Sequence, residues 1–445
     1  MNQALVLRIL PKPVRSWIER SETLRRFLKI ASWTMIAFAL DKVAQTAVIV
    51  FLANVLGAAE YGRLTLAQGF VNSAQLFIVL GAGSVLARYI PAMLEESFAR
   101  AVEIINLCAL TILSTAGVLT LAGIAGAPFL ATFVLELPAS SPIPYWIVAW
   151  ILLTAVNGLL LTIMLSFEKG RAMGEVSLVG ALISIVAVPL SAMHAGFYGA
   201  AIALVAVEAA KATLLIVHYL RLLGAEGVSP LTPARRSDAP LLLTFGVPVF
   251  LSSALWAPTM WLAQIMLKQF SPGGLASVGV FGFCNNVLGI VILFSTITNR
   301  ASLPIMSSLK ARGDHGAVRK FTASIVSIQM LSALVVGLPL VIFSPYIMSQ
   351  FGPEFFSERL ALVVMVTAGV FISGQQPLVN VLLINDRPIT NLAGMAAWSM
   401  SLLVITYLMV GIGALAVAYA VLASSILRGL FLVVAASRDL GRRSR

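Results

Sequence analysis

The sequence has few charged residues, which make up only 11% of its 445 positions, whereas hydrophobic residues make up 59%. A chain of this length with a mean hydropathy of +0.97 cannot hide so much apolar surface inside a water-soluble globule. The composition therefore excludes a soluble protein and predicts a polytopic membrane protein.

Residues that carry chemistry in enzymes are also scarce. The two cysteines, Cys108 and Cys284, both fall inside apolar runs, which argues against a disulfide scaffold or a redox motif. The three histidines lie in separate segments and cannot converge on a metal ion. No Walker sequence occurs, and the glycines at 81 and 83 follow no strand. We therefore expect a protein that is not an enzyme and that holds no cofactor.

Long polar loops are missing as well. The longest outside turns, near 127–142 and 345–359, are too short to form an extracytoplasmic domain. A membrane-embedded glycosyltransferase or acyltransferase would ordinarily need acidic or histidine residues on a sizeable loop, and so would a polymerase of surface sugars. The sequence disfavours all three classes.

The sequence does contain twelve apolar runs of helix length. A helix needs about 20 mostly apolar residues to cross a membrane, and the alternating pattern of a β-barrel is absent, so helices are the expected spanning structure. We place the spans at 30–56, 64–88, 102–126, 143–167, 174–194, 198–220, 240–268, 277–305, 320–344, 360–385, 389–411 and 413–436.

The chain repeats one plan in two halves. The span, glycine turn and span at 32–75 recur about 216 residues later at 244–286. The repeat continues beyond these segments, with Gly62 matching Gly279 and Gly199 matching Gly413. We therefore predict an N-lobe at 30–220, an inter-lobe linker at 221–239 and a C-lobe at 240–436.

Basic residues predict the orientation. With both termini in the cytoplasm, only Arg63, Lys268 and Arg359 fall on outside turns, and most of the other basic residues fall on inside segments. The net charge of +12 is therefore mostly a topology signal, and nucleic acid is not an expected partner. The basic tails at 1–29 and 437–445 lie inside. The first is either an amphipathic helix on the inner leaflet or a solvated basic segment.

Two charged residues, Asp41 and Lys42, lie near the middle of the first span. Neighbours in sequence point about 100° apart on a helix, so they need not pair with each other. In one interpretation Asp41 is a proton or cation site and Lys42 contacts an anionic substrate. In the other, both side chains are satisfied between packed helices.

The last span of each half also carries a basic residue. Lys211 is one turn from Glu208 and can form an ion pair with it, and Arg428 occupies the matching depth in the second half. This symmetry favours a role in a cavity between the lobes. Arg88 and Arg300 lie near the inner ends of their spans, where they either extend to the membrane surface or line the inner mouth of that cavity.

Several segments together resemble a known family. They are GAAEYGRLTLAQ, GAGSVLARYIPA, NRASLPIMSSL and LLINDRPITNLAGM. In order and spacing, over nearly the whole chain, they resemble the polysaccharide-export branch of the multidrug/oligosaccharidyl-lipid/polysaccharide flippase superfamily. The resemblance implies two six-helix lobes around a central cavity and alternating access. It also implies a carboxylate in the first helix of the drug-exporting branch, which Asp41 matches.

The resemblance further implies what is moved and with which partners. The expected cargo is an oligosaccharide linked to undecaprenyl pyrophosphate, exported across the bacterial inner membrane for surface polysaccharide such as O-antigen or exopolysaccharide. Membrane lipids, a polysaccharide polymerase and chain-length proteins are the expected partners. Coupling to a proton or sodium gradient is expected, through Asp41 and Glu208.

The charges in the spans agree with an anionic cargo. Lys42, Lys211, Arg300 and Arg428 outnumber Asp41, Glu103 and Glu208. A diphosphate head needs a wet cationic cavity because it cannot cross hydrocarbon alone. The alternative is a cation-coupled exporter of drugs or of other lipids from the same superfamily.

Overall fold

The computed structural model describes residues 22–79, 82–230, 232–233, 235, 238, 240, 250–251, 254–311, 313–385 and 387–441. Side chains are described from residue 40 onward within these ranges, except at 84, 87–88, 91–92, 95, 300–301, 304, 308, 311, 315 and 439–441. Residues 1–21 of the predicted tail at 1–29 and much of the predicted seventh span therefore lie outside the described residues, whereas residues 22–29 form the start of the first helix and do not end before it.

The described residues of the first half of the chain form five long helices. They are α1 (Glu22–Val79), α2 (Ala82–Glu96), α3 (Phe98–Ala125), α4 (Ile143–Ser166) and α5 (Gly170–Ala225). A short helix at Ala127–Phe129 and a π-helical turn at Leu130–Val134 connect α3 to α4. The start of α3 is capped by Ser97, whose hydroxyl accepts a hydrogen bond from the Arg100 backbone N–H at 3.1 Å.

The second half forms seven long helices among its described residues. They are α6 (Trp256–Phe270), α7 (Gly274–Val291), α8 (Leu293–Ala311), α9 (His315–Ile342), α10 (Arg359–Ile384), α11 (Pro388–Met409) and α12 (Ala414–Gly441). Short helices at Ser344–Ser349 and Pro353–Ser357 precede α10, and a 3₁₀ turn at Val410–Ile412 precedes α12. Asp314 caps α9 by accepting a hydrogen bond from the Ala317 backbone N–H.

Glycine turns divide α1 and α5 into two spans each. Gly57 (φ 70°) and Gly196 (φ 54°) have positive φ angles that residues with a Cβ rarely adopt. Their counterparts 217 positions later, Gly274 and Gly413, also have positive φ angles and stand just before or at the start of α7 and α12. The repeat is therefore real in the backbone, although Gly413 matches Gly196 and not Gly199 as the sequence comparison suggested.

The helices agree with the predicted all-α membrane fold. Within the described part of the chain, nine helices are long and apolar enough to cross a membrane, and the kinked helices α1 and α5 are among them. The predicted second and eighth spans continue past residues 88 and 305, as α2 and α8, to Glu96 and Ala311. The predicted seventh span is represented by α6.

Large apolar side chains cover the outer faces of these helices. On α3, Leu110, Leu113 and Leu121 are 59%, 64% and 71% exposed. A soluble protein would bury such a row, whereas hydrocarbon is a suitable surrounding for it. The exposed apolar faces of the helices are therefore the surfaces expected to contact lipid, and the buried faces are those packed against other helices.

The two halves meet where α1 crosses α7, at a pair of glycines. A Cβ at Gly62 would lie 2.0 Å from the Leu275 carbonyl oxygen, and a Cβ at Gly279 would lie 2.0 Å from the Ala58 carbonyl oxygen. The two contacts exchange under the 217-position repeat, so the crossing is symmetric about a two-fold axis. Only glycine lets the two backbones approach this closely.

Polar contacts between the halves lie near this crossing. Asn54 donates a hydrogen bond to the Gln350 carbonyl oxygen at 3.1 Å. The Lys268 ammonium lies 3.2 Å from a carboxylate oxygen of Glu136 and donates a hydrogen bond to the Phe133 carbonyl oxygen. These contacts close the space between the lobes at the end that the basic residues predict to be outside.

Candidate functional site

A polar pocket lies among the helices of the N-lobe. It has a volume of about 220 Å³ and is lined by Asp41 of α1, Asn157 of α4, and Ser177, Glu208 and Lys211 of α5. We call this group the N-lobe pocket. Its members come from four different spans, because the kink at Gly196 folds the two halves of α5 against each other.

Lys211 is held between two carboxylates in this pocket. Its ammonium lies 3.5 Å from Glu208 Oε1 and 3.8 Å from Asp41 Oδ1. Gly180 makes room for the lysine, since a Cβ there would lie 2.4 Å from Lys211 Cε. Opposite charges offset much of the cost of burial in a membrane, so the lysine is largely neutralised by its neighbours.

The carboxylates have further donors. Ser177 Oγ donates to Asp41 Oδ2 at 3.0 Å. Asn157 Nδ2 donates to Glu208 Oε2 at 2.6 Å and to the Glu208 carbonyl oxygen at 3.0 Å. The other side-chain atom of this amide, Asn157 Oδ1, is buried and has no hydrogen-bond partner among the described residues. The pocket thus has oxygen atoms in excess of the cations and donors that it holds.

Lys42 points away from the N-lobe pocket. Its ammonium donates to Gln45 Oε1 at 3.1 Å. A Cβ at Gly289 of α7 would lie 2.8 Å from Lys42 Nζ, so the lysine reaches the facing helix of the C-lobe. Among the described residues no carboxylate lies within ion-pair distance of it. Asp41 therefore faces the N-lobe pocket, whereas Lys42 faces the C-lobe. Adjacent residues on a helix point about 100° apart, which allows this difference.

Arg428 of α12 lies inside the C-lobe. Its Nη2 atom donates to Asn391 Oδ1 of α11 at 3.3 Å, and its Nε atom is buried without a hydrogen-bond partner in the described part of the chain. The matching positions of Lys211 and Arg428 in the two lobes agree with the repeat. Their partners differ, because the lysine has two carboxylates and the arginine has an amide.

Arg88 and Arg300 belong to α2 and α8, but their side chains lie outside the described residues. A role for them at the inner mouth of a cavity therefore stays a prediction. Asn157 and Ser177 were not among the residues that the sequence singled out. A lone asparagine in the middle of the apolar run 143–166 was the signal that could have identified the first of them.

The family model of the polysaccharide biosynthesis protein matches residues 27–310, which is more than half of the chain. No curated protein matched the sequence.

Solved transporters have the same fold. An inward-facing multidrug resistance MATE family transporter of the MOP superfamily has a TM-score of 0.73 at 15% identity, covering 92% of this chain and 98% of that one. An outward-facing MATE structure gives 0.67 at 14% identity, over 96% and 97%. A MOP superfamily transporter from Pyrococcus furiosus, with a binding pocket described as reversed in polarity, gives 0.61 at 12%, over 94% and 96%.

These matches confirm the two-lobed helical fold and the resemblance found in the sequence. The family model covers the N-lobe and the start of the C-lobe, and the structural likeness extends over both. The chain belongs to the polysaccharide biosynthesis protein family and is a membrane transporter of the multidrug/oligosaccharidyl-lipid/polysaccharide flippase superfamily.

Proposed function

We propose that this transporter flips a lipid-linked oligosaccharide across the bacterial inner membrane, for assembly of a surface polysaccharide such as O-antigen or exopolysaccharide. The cargo is an oligosaccharide on undecaprenyl pyrophosphate, and movement is by alternating access of the two lobes. Lys42 is the observation that carries the proposal. Its ammonium lies between the lobes against Gly289 and has an amide, not a carboxylate, as its described partner.

An unneutralised cation between the lobes is suited to an anionic head group. A charge in the middle of a span costs about 2.5–3.5 kcal/mol on insertion scales, so it usually faces water or a partner. The diphosphate of the lipid carrier would supply that partner while the polyprenyl tail remains in the hydrocarbon. The family description, polysaccharide biosynthesis protein, supports the same cargo class.

A cation-coupled multidrug exporter is the second candidate. The MATE transporters of the same fold and the carboxylates Asp41 and Glu208 favour it. A cationic drug needs a free carboxylate, however, and both of these lie within ion-pair distance of Lys211. We therefore assign the N-lobe pocket to ion coupling, with a proton or sodium ion as the coupled species, and assign the cargo to the space between the lobes.

Deletion of the gene tests the cargo. We expect a deletion strain to lose its surface glycan and to accumulate lipid-linked repeat units on the inner leaflet, and the wild-type gene to restore both. Normal surface glycan together with increased sensitivity to cationic drugs would contradict the proposal and favour the multidrug exporter.

Complementation with variants tests the role of Lys42. Lys42→Arg keeps the charge and should restore the surface glycan, whereas Lys42→Glu should reduce export by at least about tenfold, because the head group would meet like charge. Lys169→Glu is the matched control, since Lys169 is an exposed residue just before α5. Equal glycan levels from the Lys42→Glu and Lys169→Glu proteins would remove the electrostatic part of the proposal.

A further inference from the structure

The two lobes carry their partly buried cations in matching frameworks. Lys211 and Arg428 are 217 positions apart, and each lies three residues after a backbone carbonyl that accepts a hydrogen bond from a side-chain amide. In the N-lobe, Asn157 Nδ2 donates to the Glu208 carbonyl oxygen at 3.0 Å. In the C-lobe, Gln375 Nε2 donates to the Ser425 carbonyl oxygen at 2.7 Å. The local packing of the last span is therefore repeated.

The charges around these cations are not repeated. The position of Glu208 is taken by Ser425 in the C-lobe, and the position of Asp41 is taken by Pro258. The Ser425 hydroxyl accepts a hydrogen bond from Trp398 Nε1 at 3.3 Å, so it is already engaged in packing. Neither counter-charge of the N-lobe pocket has an equivalent beside Arg428 in the part of the C-lobe that the structure describes.

No carboxylate among the described residues therefore neutralises the positive charge of Arg428. Its described partner is the Asn391 amide oxygen at 3.3 Å, and its buried Nε atom has none among the described residues. A guanidinium presents donors in a fixed planar fork that fits the oxygen atoms of a phosphate group. An arginine without a counter-charge inside a membrane ordinarily faces an anion or a polar cavity.

We propose that Arg428, and not its symmetric counterpart Lys211, contacts a phosphate group of the lipid-linked cargo. The two symmetric cations are then used differently: Arg428 holds phosphate together with Lys42 at the lobe interface, while Lys211 stays with its two carboxylates and leaves the N-lobe pocket for the coupling ion. This inference rests on the proposed function, because it assigns the anionic end of that cargo to one lobe.

The test measures binding to the full-length protein in nanodiscs made of neutral lipid. Farnesyl pyrophosphate serves as a short polyprenyl diphosphate probe, with phosphatidylglycerol and inorganic pyrophosphate as the other anions. We expect farnesyl pyrophosphate to bind more tightly than either. Its Kd should rise roughly ten- to hundredfold in Arg428→Gln, as expected for loss of hydrogen bonds to a charged group. In Lys211→Gln it should stay within about threefold of the wild-type value, which is small beside that loss.

A pair of variants at Ser425 separates charge from packing. Ser425→Glu restores the carboxylate that the N-lobe has at Glu208 and should weaken probe binding as much as Arg428→Gln does. Ser425→Gln is similar in size and loses the same Trp398 contact, but it adds no charge and should bind the probe more tightly than Ser425→Glu. If Ser425→Glu fails to fold, the comparison of Arg428→Gln with Lys211→Gln carries the test.

The outcomes separate this inference from the proposed function. Equal probe binding by Arg428→Gln and wild type would overturn the inference, and so would binding of phosphatidylglycerol as tight as that of farnesyl pyrophosphate, which would indicate a structural lipid. Neither result would alter the glycan phenotype of the deletion strain. Conversely, if the deletion strain kept its glycan while Arg428→Gln lost the probe, the proposed function would fail and the phosphate site would stand.

Discussion

At the scale of single residues, the charge balance of the N-lobe pocket decides what the pocket can do. Two carboxylates share one ammonium, and Asn157 Oδ1 is left as a buried acceptor. An added proton or small cation would complete this set of charges and hydrogen bonds. The pocket is therefore suited to a cycle in which an ion enters and Lys211 moves between its two partners.

Asp41→Asn should uncouple this cycle. The variant leaves Lys211 paired with Glu208 alone, so an entering cation would have lost one of its two carboxylates. We expect transport in proteoliposomes to lose its dependence on the pH or sodium gradient. Ser177→Ala is the control, because it removes only the 3.0 Å hydrogen bond to Asp41 and keeps every charge. Unchanged pH and sodium dependence in Asp41→Asn would indicate that the carboxylate is a structural partner of Lys211.

Only some of the contacts in this pocket can be predicted from the sequence. The ion pair between Glu208 and Lys211 could be predicted, since residues three apart lie on one helix face. The contact between Lys211 and Asp41 could not, because it depends on how the first span rotates against the sixth. That rotation is set by packing, including the space at Gly180 that lets the lysine stem pass.

At the scale of elements, hydrogen bonds and ion pairs hold the inter-lobe linker against α3. Arg100 makes a bidentate contact with Asp238, with distances of 2.6 and 2.8 Å. Asn106 Nδ2 donates to the carbonyl oxygens of Pro230 and Thr232, and Arg235 Nε lies 2.6 Å from a Glu103 carboxylate oxygen. The segment predicted as a boundary between lobes therefore follows the N-lobe up to Asp238.

Acidification should break the contact between Arg100 and Asp238 and release the linker. Hydrogen bonds from Arg100 hold the pKa of Asp238 below its ordinary value of 3.8. A carboxyl group whose pKa is lowered in the folded state stabilises that state above the unfolded value, and the contribution is lost as the pH falls through the folded pKa. We expect the linker to stay docked at neutral pH and to detach only below about pH 4.

Limited proteolysis measures the docking of the linker. Trypsin cleavage after Arg235 at neutral pH should be at least about tenfold faster in Asp238→Asn, because the linker loses its charged bidentate contact while Arg100 keeps Glu103 and Glu96 of the N-lobe as partners. Glu175→Gln is the control, since it breaks an ion pair with Arg171 that is largely exposed. Equal cleavage rates for the two variants would mean that the Arg100 contact does not hold the linker.

Most of the spanning helices and the glycine turns can be predicted from the sequence. Runs of about 20 apolar residues predict spanning helices, and positive φ angles at Gly57 and Gly274 explain why the glycine turns recur. The sequence predicts only an outside turn where the structure has the short helices Ser344–Ser349 and Pro353–Ser357. Their form depends on contacts such as Phe351 and Phe355 against Phe283 of α7, which no local pattern encodes.

At the scale of the whole molecule, the topology of the chain can be tested directly. Twelve spans with both termini in the cytoplasm follow from the scarcity of basic residues on the outside turns. A reporter that is active only in the periplasm should be silent when fused after Arg445 and active when inserted near residue 272, in the turn between α6 and α7. Activity of the C-terminal fusion would place the C-terminus outside and would contradict the predicted orientation.

The symmetric glycine crossing should control which end of the transporter opens. A Cβ at Gly62 or Gly279 would lie 2.0 Å from a backbone carbonyl oxygen of the facing helix, and a backbone cannot move aside as a flexible side chain can. Gly62→Ala should therefore separate the lobes at the predicted outer end and shift the population away from the closed arrangement seen here. Because the two contacts exchange under the repeat, Gly279→Ala should have an equal effect.

Spin labels at Asn54 and Gln350, which are joined by a 3.1 Å hydrogen bond, report on this end directly. Electron-electron distance measurements should show a longer separation for either alanine variant, with transport reduced because one state of the cycle is disfavoured. Gly117→Ala is the matched control, since Gly117 is also in a helix and a Cβ there would have no neighbour within 4 Å. Distance distributions that match those of the Gly117→Ala protein would show that the crossing is not where the lobes close.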